Sequence, residues 1–202
     1  MTTIALWGYA LFLLLAFGLR SWLHWRRTGS TGFVGLSGGV GSAEWLGGVL
    51  FVVALVAGGA APALQALGVV APAPALDAPA VRAAGVALYV VGVAGTLWAQ
   101  LAMGASWRIG VDETARTELV GAGPFRWVRN PIFSAMTMAT LGLALCVPNV
   151  VSVLTLVALV AALEIQVRLV EEPYLARVHG DGYRRYVATT GRFVPGVGRR
   201  VA

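Results

Sequence analysis

The chain has 202 residues, of which 58% are hydrophobic and only 12% charged, and its net charge of +6 comes from 15 arginines with no lysine. A soluble domain carries about 25% charged residues, so the composition excludes an ordinary water-soluble globule and points to an integral membrane protein. The arginines sit between apolar runs, which argues against a nucleic-acid partner. The single cysteine, Cys146, excludes an internal disulfide and a cysteine-based zinc cluster.

The first apolar run, residues 4–19, has no positive charge before it, while Arg20, Arg26 and Arg27 follow it. A secretory leader has the reverse order, so this run is expected to remain as a first span with its C-terminal end in the cytoplasm. Residues 24–44 are rich in glycine and serine and read as a loop. A second span is expected over 45–70, where glycine and alanine suit close helix packing in lipid. The Pro-rich connector APAPALDAPA, residues 71–80, breaks any helix. A third span is expected over 81–103, followed by a polar segment from 106 to 130. Asn130-Pro131 pairs a favoured N-cap with a favoured first helical residue, so a fourth span begins there. Pro148-Asn149 reads as a tight turn, and a fifth span runs from 150 to about 169. The polar tail opens with a helix.

The fold class is therefore all-α: a polytopic transmembrane bundle of about five spans with a C-terminal cytoplasmic helix. With the N-terminus outside, the outer loops hold only Asp77 and Arg82, and nearly every other arginine falls inside. That places the protein in the cell's inner or plasma membrane, its polar ends facing the cytoplasm.

Chemistry gathers at two places. Arg126, Arg129 and Asn130 precede the fourth span, and Glu164, Arg168, Glu171 and Glu172 close the fifth. A hairpin between these spans brings the clusters together at one membrane face. Ionisable residues beside a span usually face a cavity or a partner. Anchoring arginines and a helical i,i+4 pair of Glu164 with Arg168 explain part of the pattern, but not the two acids that follow. Tyr183 and Tyr186, three apart, share a helix face able to cover a pocket. His24 and His179 are isolated, so no metal site is expected.

The segment ELVGAGPFRWVRNPIFSAM, the hairpin, and the tail EEPYLARVHGDGYRRYVATTGRFVP together resemble the isoprenylcysteine carboxyl methyltransferase and phospholipid methyltransferase superfamily, over about residues 106–195. The resemblance implies S-adenosylmethionine as methyl donor, bound on the cytoplasmic side, and a lipophilic acceptor from the bilayer. It divides one integrated domain into residues 1–105, which shape the acceptor site, and 106–202, which form the cofactor site. Leu119, Val120, Gly123, Pro124 and Phe125 take the place of the family's cofactor loop. Arg126, Arg129, Asn130 and Pro131 follow, with Glu171 and Glu172 at the paired acids and Tyr183 and Tyr186 at the tail tyrosines. The departure is Asn130, where the family usually has His. Asn donates and accepts hydrogen bonds but does not titrate near neutral pH.

Methyl transfer from a sulfonium is an in-line displacement that rests largely on positioning. Acids suit the donor's ammonium, arginines its carboxylate, and aromatic faces its cationic groups. Arg168 is the expected residue for orienting an anionic acceptor, and Glu164 the candidate base for an amine. Two other readings stand beside this one. A sterol- or steroid-type membrane reductase would use NADPH and bind its phosphates with the arginines. A non-catalytic membrane adaptor would leave the convergent acids and arginines without a role.

Overall fold

The structure is a computed structural model that describes residues 1–110 and 118–200. Five helical runs build it: α1 (Thr2–Thr28), α2 (Ala43–Ala66), α3 (Pro79–Met103), α4 (Pro131–Cys146) and α5 (Val150–Thr189). No named strand occurs among the described residues. Four of the runs are long and apolar enough to cross a membrane, and α4 is a shorter apolar helix. At 1.5 Å per residue the 16 residues of α4 reach only about 24 Å. Large apolar side chains such as Trp7, Val56 and Val157 stand exposed on the outer faces of the helices, as lipid-facing residues do. The all-helical, span-forming fold class agrees with the sequence expectation.

Three boundaries differ from it. The first span does not stop at Leu19: α1 continues through a π-helical stretch (Leu14–Leu19) to Thr28, and Gly29, at φ 76°, terminates it in the left-handed region. Arg20, Arg26 and Arg27 are therefore helical and not in the loop. The fifth span and the tail helix are one run, α5, which passes through a second π-helical stretch (Gln166–Glu171) and breaks its helical geometry only at Gly180 (φ 49°, ψ −123°). The polarity switch near residue 170 marks where the helix leaves the apolar layer; nothing there interrupts the backbone ladder. The second span ends at Ala66, followed by an irregular connection with one 3-10 turn (Pro74–Leu76).

Packing follows small residues. α3 lies along α4, and α2 lies along the first part of α5, while α1 leans on α2. A Cβ added at Gly92 would run into the backbone of Ala139 and sit 2.8 Å from the Ala135 carbonyl oxygen. Glycine there is what lets α3 and α4 touch main chain to main chain. The core between these helices holds Tyr9, Phe12, Met136, Leu143 and Val147. At the end of the bundle where α2 finishes, the expected turn at Pro148-Asn149 is buried: Asn149 caps α5 by accepting from the Ser152 N–H, and its amide donates to the Ala61 carbonyl and Gln65 Oε1. On the opposite side, loop 29–42 is tied to the segment after α3 by two main-chain bonds, Ile109 N–H to Gly32 and Val34 N–H to Ile109.

Candidate active site

Glu172, buried on α5, is the centre of the polar end. Arg129 donates to it at 2.8 Å, Arg192 donates twice, at 2.7 and 2.9 Å, and Arg200 at 3.0 Å. Arg129 also donates to the carbonyls of Thr190 (2.7 Å) and Gly198 (3.1 Å). Main-chain bonds complete the join, from Arg129 N–H to Gly191 and from Asn130 N–H to Arg192. Burial pushes the Glu172 carboxyl up, but the bonds and charges of Arg192 and Arg129 outweigh it and leave the group below its ordinary value. The two sequence clusters thus meet, as the hairpin argument required, and the tail closes over them. Arg192 and Arg200 were not expected; they lie past the helical tail in a stretch whose arginines look like a solvated end.

Asn130 occupies the N-cap position of α4 and Pro131 the first helical position, but the Asn130 side chain makes no cap bond. Its amide instead donates to the Arg192 carbonyl at 3.1 Å, and Ser134 donates to the Phe193 carbonyl at 2.6 Å. The side chain fastens the tail to α4, which competes with capping for the same group.

Beside this knot lies a cavity of about 320 Å³. Leu119, Val120 and Phe125 line it from the polar segment, Arg129, Asn130 and Pro131 from the start of α4, and Glu171, Glu172, Tyr183 and Tyr186 from α5. Tyr186 donates its hydroxyl to the Phe125 carbonyl at 2.6 Å, and its ring lies 6.4 Å from that of Tyr183. Both phenols are pushed up to about 12 by burial, so they remain protonated donors. Glu171, just beyond the apolar first half of α5, is bonded by Gln166. Enclosure pushes its carboxyl up to about 7, the bond from Gln166 opposing.

Other expected residues stand apart. Gly123 and Pro124 form the 3-10 turn (Gly123–Arg126) behind Phe125, with Gly123 at φ 58°. Arg126 is exposed, its guanidinium 5.2 Å from the Trp127 ring centroid. Glu164 and Arg168 pair with each other on an exposed face of α5 and do not line the cavity.

The cavity also draws on the N-terminal half. Phe17 of α1, Phe33 and Leu36 of the loop, and Glu44, Phe51 and Leu55 of α2 line it, as do Gln100 and Trp107 after them. Its apolar wall thus reaches between the membrane helices, and its polar wall ends at Glu171. A space of this shape suits a ligand with an apolar body and a polar end.

Fold and site together describe a helical membrane protein with an amphipathic cavity at one end of its bundle. A family model for phospholipid methyltransferases matches residues 80–182, and the chain belongs to that family of membrane methyltransferases. No curated protein matches the chain. The matched region contains α3, α4, the Glu171–Glu172 pair and most of α5; Glu44, Phe51 and the Gly-rich loop lie outside it.

Proposed function

We propose that the protein transfers the methyl group of S-adenosylmethionine to a lipid amine that enters from the bilayer, with the site on the cytoplasmic side. The observation that carries this reading is the cavity itself, lined at one place by Glu171 and at another by the half-buried side chains Phe51 and Leu55 between the helices. The residues fit the donor's chemistry. Glu171 is an acid suited to its ammonium, Tyr183 and Tyr186 offer aromatic faces to its cationic groups, and Leu119, Val120 and Phe125 give an apolar wall for its base. When bound, S-adenosylmethionine supplies an electrophilic methyl group on a sulfonium.

The protein's own work is positioning and exclusion of water. The Glu172 knot fixes the end of α4 against α5, so both walls of the cavity are held in register. Arg129 has its charge matched by Glu172 within that knot. Outside the Glu172 knot, three acids line the cavity, Glu44, Glu118 and Glu171, against one arginine, Arg108, among the described residues. That balance favours an amine acceptor over a carboxylate. Arg168, expected to orient an anionic acceptor, points elsewhere, and Glu164 is not placed to serve as a base. An ammonium must lose a proton before its nitrogen can attack, and a cavity carboxylate outside the Glu172 knot is the proton acceptor in this reading.

Ligand binding to the folded state alone raises apparent stability, by about 2.7 kcal/mol at a hundredfold excess over Kd. In detergent, S-adenosylmethionine or its demethylated product is expected to raise the unfolding temperature, and NADPH to leave it unchanged. A shift with NADPH alone would refute the reading.

A further inference from the structure

Glu44 lies in the first turn of α2, two residues past the N-cap Ser42, whose hydroxyl accepts from the Trp45 N–H. Glu44, Gly47 and Gly48 share one helix face by their spacing. The backbone of Gly47 lies directly against Ile165 and Gln166 of α5, within 3.5 Å of where its Cβ would sit. Gln166 is the residue bonded to Glu171. The Glu44 carboxylate lies over the start of its own helix beside Gly38, bonded by the Ser42 hydroxyl and its own N–H, which leaves it further acceptor capacity, and Glu44 and Glu171 line the one cavity. No arginine pairs with either among the described residues.

A second group points to the same ligand chemistry. Gln100 of α3 is 2% exposed and lines the cavity. Its Nε2 donates to the Ala16 carbonyl at 2.9 Å, which fixes the amide's orientation. The other end, Oε1, is a buried acceptor with no partner. The N-terminal half thus contributes acceptors, a carboxylate and an amide oxygen, on residues that line the cavity. A ligand that answers them is a cation rich in N–H groups.

We infer that Glu44 is the partner of the acceptor's ammonium, so that the donor's amine and the acceptor's amine are held by acids from different helices, Glu171 on α5 and Glu44 on α2. This rests on the methyltransferase reading and assigns acceptor selectivity to a residue outside the family-matched segment. Glu44→Gln keeps the shape and removes the charge.

The test uses the full chain in mixed micelles or vesicles of phosphatidylethanolamine and phosphatidylcholine. Methyl transfer from labelled S-adenosylmethionine gives both KM values, and thermal stabilisation by phosphatidylethanolamine without donor gives binding directly. Glu44→Gln is expected to raise the acceptor KM about tenfold or more and to abolish stabilisation by the amine lipid. The KM of S-adenosylmethionine and the stabilisation it confers stay as in the parent, which also shows that the variant is folded. Glu44→Asp recovers part of the acceptor affinity. An unchanged acceptor KM, or a rise in the donor KM instead, overturns the inference and leaves the methyltransferase reading in place. A parent protein that S-adenosylmethionine does not stabilise, and that methylates no lipid, overturns both.

Discussion

The carboxylate of Glu172 is bonded by three arginines, two of them from the segment after α5, whereas its neighbour Glu171 faces the cavity with Gln166 as its bonded partner. The same residue type thus does two jobs. Replacing Glu172 with Gln strands the buried Arg129 charge, and breaking a buried pair on one side costs about 3–5 kcal/mol. Loss of folded protein in detergent is the expected result, seen as a lower unfolding temperature with or without ligand. Glu171→Gln acts differently. A carboxyl raised from its ordinary value of 4.5 to about 7 favours the folded state at low pH, and that contribution disappears as pH rises through about 7. The ligand-free Glu171→Gln variant is therefore expected to be more stable than the parent above pH 7. In the parent, affinity for S-adenosylmethionine is expected to strengthen as pH rises through the same value, because only the carboxylate attracts an ammonium. In the variant, calorimetric titration should show a weaker affinity that no longer changes there.

At the scale of elements, the helices were legible because lipid solvent demands long uncharged runs, and the hairpin of α4 and α5 followed from a turn too short to do anything else. What was not legible has physical causes. The continuity of α5 is hidden because a change from apolar to polar sequence imitates a boundary while the backbone continues through a π-helical stretch. The roles of Arg192 and Arg200 depend on a chain reversal that no local pattern encodes. Glu44 gave a weak signal, an acid in the first turn of a span, and Gln100 another, an amide inside a hydrophobic helix. Either could have been singled out as a costly group needing a reason. Packing offers a direct check on the α3–α4 contact. Gly92→Leu forces backbone apart and is expected to abolish folded protein. Gly182→Ala, in α5 with open space around its Cβ, is expected to stabilise by about 0.5–1 kcal/mol. Unfolding temperatures of the two variants decide it.

For the whole molecule, the arginine distribution predicts sidedness. The outer connection near Asp77 and the tail near Asp181 lie at opposite ends of the helices, with Asp77 before α3 and Asp181 in the last turns of α5. In a background with Cys146 replaced by Ala, Asp77→Cys in intact cells is expected to react with a membrane-impermeant maleimide. Asp181→Cys is expected to react only after permeabilisation; the reverse pattern would invert the topology. The return of the tail onto Glu172 has a further consequence, for the order in which the protein is made. All five helices and one arginine leave the ribosome before the other two arginines exist as protein. Until residue 200 emerges, Glu172 has only part of its hydrogen bonds, and the wall between α4 and α5 lacks its final clasp. Insertion of the spans and completion of the site are then separate events, and a half-made chain can be seated in the membrane while remaining inert.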